Sequence, residues 1–330
     1  MDPVEWLRTA GEIGARQIWF RLPEALRSWL ATRVRRGTTP APVVDLDRVA
    51  ERIDALVPRA GGLLMVHASA DGFRIRSESS EPSSGARSAL LALELLLRRV
   101  GDTGTLCMPT HPLYKGDRGF LEDKSDLRLV YRPQRTPSSM GLLSEFFRRD
   151  SRTQRSAHPL SSLAARGPRA DELLRGNLNE RAPLPHGVDS GYYRFCRAGG
   201  SVLGIGLRLL PFATVLHCAE ESADEAWPVP DFFRLRHFVI EDVAGARREV
   251  RVRERRPEFV RALALGRLRR DALAEGLLRE TDLDGVPIDV LDAKGLLEMM
   301  IARQRRGPYP FVLPGLAVSG TARPAATTMD

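Results

Sequence analysis

Apolar residues recur along the first part of the chain with helical spacing, or in short runs typical of buried strands. They fall every three or four positions over Asp45–Val57 and Ala86–Val100, which predicts two amphipathic helices. The runs Leu63–Val66 and Thr105–Met108 predict a strand after each helix. The order helix, strand, helix, strand predicts parallel strands joined by crossover helices. We therefore expect an α/β fold with a central, mostly parallel sheet flanked by helices.

The same patterns continue to about residue 230. The sequence Thr136–Pro137–Ser138 predicts a helix start, because threonine is a good N-cap and proline suits the first helical position. Such a start presents unbonded amides, so it is also a predicted anion site. The run Val202–Gly206 predicts a buried strand, and Pro211 suits the first turn of the next helix. Three shorter elements are predicted as well: a strand at Ser162–Ala165, a helix from Pro168 and a helix around 190–197.

Beyond Pro230 the pattern changes to one that predicts an appended α+β lobe. The segments Arg236–Glu241 and Glu249–Val252 flank a glycine-containing turn and predict a hairpin. The remaining predictions are an arginine-rich helix (Pro257–Arg279), a strand near Val286–Val290 and a helix (Ala293–Arg305). The expected organisation is a basic, helical lead-in and linker (1–42), an α/β core (43–230), a C-terminal lobe (231–317) and a disordered tail (318–330).

Composition narrows the class of protein. The 330 residues are 43% hydrophobic and 28% charged, as in soluble globular proteins, and the net charge is +8. Lysine occurs only at positions 115, 124 and 294, so arginine carries the charge and suits phosphate or carboxylate groups. No zinc-finger or ribonucleoprotein signature is present, so we expect no nucleic-acid partner. The basic lead-in is compatible with a peripheral membrane or carrier-protein contact, or with a cap on the protein's own core.

The cysteines and apolar runs indicate a cellular location. Cys107, Cys196 and Cys218 form no CxxC pair, which favours a reducing compartment. No apolar run approaches the roughly 18 residues of a membrane span, and no signal peptide is recognisable. The expected location is the cytoplasm. The oligomeric state is left open.

The stretch Ser201–Glu225 combines a crevice with acid–base side chains. Its predicted strand ends in glycines just before a helix, where ligands bind in open α/β sheets. On that helix His217 lies three residues before Glu220, so an imidazole and a carboxylate share one face. Thr214 brings a hydroxyl to the same side one turn earlier. The alternative for such a pair is a solvated surface contact.

Other chemistry is less well supported by the spacing. His67, His111 and His158 join His217 at predicted element ends, yet no two of them have metal-ligand spacing, so we expect no metal. Cys218 follows His217 directly, and neighbouring helical residues diverge by roughly 100°. We therefore expect its thiol to pack in the core.

Five segments together resemble the aminoglycoside 3-N-acetyltransferase family in order and spacing, over about residues 43–305. They are VHAS (66–69), GDTGTLCMPTHP (101–112), TPSSMGLLSEFFRR (136–149), RSAHPLSSLAARGPRADELL (155–174) and VLGIGLRLLPFATVLHCAEE (202–221). The resemblance implies the family's α/β fold, acetyl-CoA as the donor, and transfer of an acetyl group to an amine. The resemblance also implies a role in antibiotic resistance.

The resemblance implies roles position by position. His217 and Glu220 match the family's base and carboxylate, Thr214 matches the hydroxyl that steadies the tetrahedral intermediate, and His158 matches a less general histidine. The implied acetyl-CoA-binding residues are His67, Ala68, Ser69, Thr136, Ser138, Ser139 and Gly141. The candidate acceptor-binding residues are Glu221, Asp224 and Tyr114.

Departures from the family pattern leave the acceptor open. Alanine at position 68 removes a hydroxyl that the family usually has, and residues 207–213 replace a polar approach to the helix. The resemblance implies an aminoglycoside as acceptor, and the departures leave an amino sugar or another biosynthetic amine as alternatives. Two further alternatives are a different acyl-CoA or carrier-protein thioester as donor, and an inactive binding protein tethered to a membrane by residues 1–36.

Overall fold

The structure is a computed structural model. It describes residues 41–57, 61–69, 72–76, 81–114, 129–176, 178, 183–227, 229, 231–256, 259, 263 and 265–305. The predicted lead-in, almost all of its linker and the predicted tail lie outside these residues.

The described part of the chain contains both strands and α-helices along its whole length. The strands are β1 (Val43–Asp45), β2 (Leu63–Ala68), β3 (Arg74–Arg76), β4 (Thr105–Pro109), β5 (Leu129–Tyr131), β6 (Gln154–Arg155), β7 (Leu163–Arg166), β8 (Ser201–Ile205), β9 (Phe233–Glu241), β10 (Arg247–Arg255), β11 (Leu278–Leu283) and β12 (Val286–Asp292). The α-helices are α1 (Leu46–Leu56), α2 (Gly85–Val100), α3 (Leu142–Arg149), α4 (Ala170–Leu174), α5 (Gly191–Arg197), α6 (Leu216–Ala223), α7 (Leu265–Ala274) and α8 (Ala293–Gln304).

The central sheet has the strand order β11-β12-β8-β2-β4-β7-β6. Its three middle strands, β8, β2 and β4, are parallel, as expected for strands joined by crossover helices. The strands on both sides of this trio are antiparallel, so the sheet is mixed rather than mostly parallel. The α/β class is confirmed, and the parallel trio is the part of the sheet that carries the site described below.

Successive side chains along a strand of the central sheet pack into two separate hydrophobic cores, one on each face. On β2, Leu64 and Val66 pack toward α1, α2 and α3, whereas Leu63 and Met65 pack toward α4 to α8. Helix α1 is capped by Asp45, whose side chain accepts from the Asp47 amide, and it buries an apolar stripe as its sequence pattern predicts. The parallel strands are therefore covered on both faces of the sheet, so a ligand can reach them only at the ends of the strands.

A smaller sheet, of order β10-β9-β5, lies beside the central one. The predicted hairpin is confirmed and is longer than expected, since β9 and β10 pair from Phe233 with Arg255 to Glu241 with Arg247. Its inner face covers a third cluster, around Tyr131, Phe238 and Val252. The hairpin thereby brings the arginine-rich end of β10 close to the central sheet.

The predicted C-terminal lobe is partly continuous with the core. Strands β11 and β12 extend the central sheet, because β12 pairs antiparallel with β8. The arginine-rich helix is the shorter α7, and the end of its predicted range forms the unpredicted strand β11. The boundary at residue 230 stays a prediction.

Two predicted helix starts are wrong in detail. The helix expected from Thr136 begins at Leu142 instead, after an N-cap at Gly141. The residues before it are held by a bridge between Pro112 and Ser138, which fixes them against the end of β4. The helix expected from Pro211 is a single 3₁₀ turn over Leu210–Phe212, and α6 follows separately. Within the described residues no helix is long and apolar enough to cross a membrane.

Candidate active site

The predicted site residues converge where β2, β4 and β8 end. His67 is near the end of β2, His111 follows β4, and Gly206 follows β8. Parallel strands end at the same edge of a sheet, so these positions are neighbours. Gly206 has a φ of 73°, and a Cβ there would lie 2.8 Å from the Ser69 carbonyl oxygen. Only glycine fits this crossing of two backbone turns.

His217 and Glu220 form the hydrogen-bonded pair that the helical spacing predicts. The Nδ1 of His217 lies 3.0 Å from Oε2 of Glu220 on α6. The Glu220 side chain is 1% exposed and that of His217 is 20% exposed, so the carboxylate is inside and the ring borders the cleft. A carboxylate at Nδ1 favours the tautomer that is protonated there, which leaves Nε2 as a proton acceptor.

Arg255, at the end of β10, completes this pair and was not predicted from the sequence. Its Nη1 lies 3.0 Å from Glu220 Oε2 and 3.0 Å from His217 Nδ1, and its Nη2 lies 3.1 Å from His217 Nε2. The guanidinium therefore lies along both ring nitrogens of the candidate base.

The charges of this trio shift its pKa values in known directions. Burial and then Arg255 lower the pKa of His217, and together they outweigh the opposite effect of Glu220. Burial raises the pKa of Glu220, but Arg255 and His217 offset this and the net shift is downward. The trio thus holds a neutral imidazole beside an ionised carboxylate at neutral pH.

Thr214 lies between the start of α6 and the end of β2. Its Oγ1 is 3.3 Å from Nε2 of His67 and 3.9 Å from Sδ of Met65. Burial lowers the pKa of His67 to about 4, so this ring is neutral near pH 7. The contact joins the predicted catalytic helix to the predicted donor-binding turn.

His186 forms a second histidine–glutamate pair beside the first, and the sequence analysis missed it. Its Nδ1 lies 2.9 Å from Oε1 of Glu221, and its backbone amide donates to the other oxygen of the same carboxylate. The ring is 5.3 Å from that of His217 and 4.7 Å from that of Tyr192, centroid to centroid. A single histidine in a long loop gives no periodic signal, so only the folded chain reveals this pair.

The candidate acceptor-binding residues are engaged with the protein itself. Glu221 is buried against His186, as just described, and Asp224 binds Arg253 through two contacts of 2.5 and 2.8 Å. Tyr114 is buried, and its hydroxyl donates to the carbonyl of Pro159.

His158 is fully buried in the wall behind these residues. Its Nδ1 accepts from the amides of Leu160 and Ser161, at 3.3 and 3.4 Å. Burial, together with His186, lowers the pKa of His158 to about 3, so the ring is neutral. Its contacts hold the turn that precedes β7.

The segments implied to hold acetyl-CoA lie together. Ala68 ends β2, the Ser69 amide donates to the Ile205 carbonyl, and a Cβ on Gly141 would lie 3.8 Å from the Ala68 carbonyl oxygen. The Ser139 amide and hydroxyl both donate to the carbonyl of His111, at 2.8 and 3.0 Å. The predicted donor segments therefore share the edge that carries His217.

The backbone amides at positions 138 to 140 belong to the predicted anion site, but each of them already donates a hydrogen bond within the protein. The Ser138 amide donates to Glu145, and the Met140 amide donates to the Ser138 hydroxyl. Thr136 is also committed, since its hydroxyl accepts from the Arg132 amide. Gly141 makes no side-chain cap, so the start of α3 is where unbonded amides are expected.

Two further observations concern other chemistry. Among the described residues no group of three or more histidine, cysteine or acidic side chains is arranged to hold a metal ion. Cys218 is fully buried, as predicted, and burial raises the pKa of its thiol well above the usual value.

Comparison with known proteins agrees with this architecture. The chain is 33% identical over 190 residues to aminoglycoside N(3)-acetyltransferase III from Salmonella sp, an alignment that covers 53% of this chain and 60% of that protein. A type IV enzyme from Salmonella sp is 33% identical over 174 residues, covering 52% and 56% of the two chains. The match thus spans about 60% of the length of these curated relatives.

Solved structures share the fold. The apoenzyme of aminoglycoside acetyltransferase AAC(3)-IVa superposes with a TM-score of 0.61 at 23% identity, covering 83% of this chain and 93% of that one. AAC-IIIb in a binary complex with CoASH gives a TM-score of 0.62 at 21% identity, covering 82% and 99%. The sequence profile of the family described as aminoglycoside 3-N-acetyltransferase matches residues 65–305. The chain therefore belongs to the aminoglycoside 3-N-acetyltransferase family.

Proposed function

We propose that the protein transfers an acetyl group from acetyl-CoA to the amine of an aminoglycoside or amino sugar. The observation that carries the proposal is the His217–Glu220 pair, 3.0 Å apart, at the sheet edge where the 67–69 turn and Gly141 meet. Acyl transfer to an amine needs a neutral base at the acceptor nitrogen and a cradle for the thioester nearby. The names of the relatives, and the CoASH complex of one of them, point the same way.

His217 is the proposed general base. Its Nε2 takes the proton that the acceptor nitrogen loses as it bonds to the thioester carbonyl, while Nδ1 stays bonded to Glu220. Glu220 fixes the tautomer and stabilises the imidazolium that forms, in the manner of the carboxylate of a catalytic triad. The proton then leaves His217 for the departing sulfur, which returns the base to its neutral state.

Thr214 is the proposed donor to the developing oxyanion. Its hydroxyl can donate to a substrate oxygen while its own oxygen accepts from Nε2–H of His67, 3.3 Å away. His67 is suited to this because burial keeps it neutral, with a pKa of about 4. His158 is assigned a supporting role, since both amide contacts of its ring lie within its own turn.

The donor is assigned to the edge around α3. Gly141, with a φ of 91°, leads into the first turn of α3 beside Ala68, which suits a pyrophosphate that needs close backbone approach. The one acidic side chain of this turn, Glu145, is neutralised by Arg148 through contacts of 2.6 and 2.9 Å. A groove of about 480 Å³ adjoins Thr136, and Arg135 in its lining offers charge for phosphate groups. Arg132 also lines the groove but is already paired with Glu241.

The test is release of CoA thiol from acetyl-CoA in the presence of aminoglycosides and amino sugars. His217→Ala should lower kcat by roughly 10²–10⁴, the usual contribution of general-base catalysis, with the Kd for acetyl-CoA nearly unchanged. Equal turnover by wild type and variant would remove His217 from the mechanism. Longer acyl-CoA donors and acyl-carrier proteins, run in parallel, test the alternative donor.

A further inference from the structure

The carboxylates on the acceptor side of the site are each matched by a group of the protein itself. Glu220 contacts His217 and Arg255, Glu221 contacts His186, and Asp224 contacts Arg253. An acceptor with several ammonium groups needs carboxylates that are not already neutralised. Glu220, Glu221 and Asp224 form what we call the acceptor wall. Within the described residues, the wall offers such an acceptor only carboxylates that are already paired.

The two arginines that pair with the acceptor wall, Arg253 and Arg255, lie on one strand. Arg253 and Arg255 are two residues apart on β10, so both side chains leave the same face of the hairpin. The Arg255 side chain is 14% exposed and that of Arg253 is 27% exposed, so neither charge is fully screened by water. The hairpin register, with Arg255 opposite Phe233 and Arg253 opposite Leu235, fixes both positions.

Arg255 also covers the atom at which the acceptor reacts. Its Nη2 lies 3.1 Å from Nε2 of His217, the nitrogen that takes the acceptor's proton. Every additional ammonium group near the reacting amine therefore meets a guanidinium that already pairs with Glu220, and not a free carboxylate. A paired carboxylate gives such a group no net attraction to offset the water that it loses on entering the site.

We infer that the natural acceptor is a monoamine, an amino sugar with a single positive charge, and that Arg253 and Arg255 occupy the carboxylates that a polycationic aminoglycoside would need. The inference rests on the proposed acetyl transfer and narrows its substrate class. Arg253 and Arg255 are then specificity-determining residues, because they compensate the carboxylates that would otherwise bind extra ammonium groups.

The first experiment compares acceptors with the full-length protein and acetyl-CoA. CoA thiol release gives kcat/KM for three monoamines, glucosamine, galactosamine and mannosamine, and for two polyamines, sisomicin and apramycin. We expect at least one monoamine to exceed both polyamines by about tenfold or more. A preference for sisomicin or apramycin would overturn the inference and leave acetyl transfer intact. Thiol release from no member of the panel would overturn the proposed function itself.

The second experiment changes the arginine that does not contact His217. Arg253→Gln leaves Asp224 uncompensated, and it should raise the ratio of polyamine to monoamine kcat/KM by about tenfold. Arg253→Lys keeps the charge and should keep the wild-type ratio, which shows that the fold tolerates changes at this site. Arg251→Gln, at an exposed position on the same face of β10, is the matched control and should also keep the ratio. An unchanged ratio in Arg253→Gln would contradict the assigned role.

Discussion

Arg255 lies against His217 with a guanidinium nitrogen 3.1 Å from Nε2, although 38 residues separate the two along the chain. A permanent charge at this distance opposes protonation of the ring. Glu220 is bonded to both residues and balances the charge, so the three side chains act as one electrostatic unit.

The pH dependence of turnover should reveal this unit. Burial and then Arg255 lower the pKa of His217, so this imidazole stays neutral to lower pH than an isolated one would. In Arg255→Gln the pKa of His217 should rise, and the acid limb of the kcat/KM profile should move to higher pH. Arg255→Lys should leave the limb close to its wild-type position. The profile of each variant, measured with one acceptor at fixed ionic strength, checks the sign.

Glu220→Gln should lower kcat more than it changes KM. The amide no longer stabilises the imidazolium and can bond to the ring in the wrong tautomer, an effect that reaches about 10⁴ in a comparable triad. The variant also leaves Arg255 without its carboxylate, so its melting temperature should fall. Steady-state kinetics at several pH values separate the loss of imidazolium stabilisation from the change of tautomer. A recovery of kcat at high pH would argue against a role of Glu220 in holding the tautomer.

Thr214→Val should reduce kcat by about 10²–10³, the usual loss for an oxyanion donor. Valine fills a similar volume beside Met65 and His67 but cannot donate. Thr214→Ser keeps the hydroxyl and serves as the control. If the serine and valine variants lose activity equally, the hydroxyl is not the functional feature of this position.

The His186–Glu221 pair should contribute chiefly to stability. Both side chains are nearly fully buried, and Glu221 also accepts from the His186 amide. Glu221→Gln weakens both contacts, and we expect a loss of about 1–3 kcal/mol in the free energy of unfolding. Urea denaturation measures this directly. Glu94→Gln, at an exposed position on α2, is a suitable control and should unfold at the wild-type urea concentration.

Gly206→Ala should be strongly destabilising. The added Cβ would lie 2.6 Å from Cδ1 of Phe73 and 2.8 Å from the Ser69 carbonyl oxygen, at a positive φ. Relief of these contacts requires displacement of the 67–69 turn, so acetyl-CoA affinity should fall together with the melting temperature. Gly245→Ala is the informative comparison, because its φ is also positive but no atom lies near its Cβ.

Local spacing was sufficient for contacts within one element. The His217–Glu220 contact follows from a separation of three residues on a helix, and the β2–β4 pairing follows from the crossover order. Their roles in catalysis remain proposals. What these patterns share is that the interacting groups are close in sequence or belong to a regular unit.

Contacts between distant elements could not be predicted in the same way. Arg255 reaches His217 only because the hairpin docks beside the central sheet. The helix start assigned to Thr136 failed because threonine before proline also suits a turn. Here contacts from Pro112 and His111 hold the residues ahead of Gly141. Tertiary contacts decided between two local structures that the sequence allowed equally.

The place of β12 in the sheet has a consequence for biosynthesis. Strand β8, which leads into the crevice, is bordered on one side by β2 and on the other by β12, near the end of the described chain. While the protein is still on the ribosome, β8 exposes an unpaired edge until β12 emerges. A nonsense mutation between residues 221 and 285 would therefore produce a polypeptide in which β8 has an open, aggregation-prone edge beside His217 and Glu220.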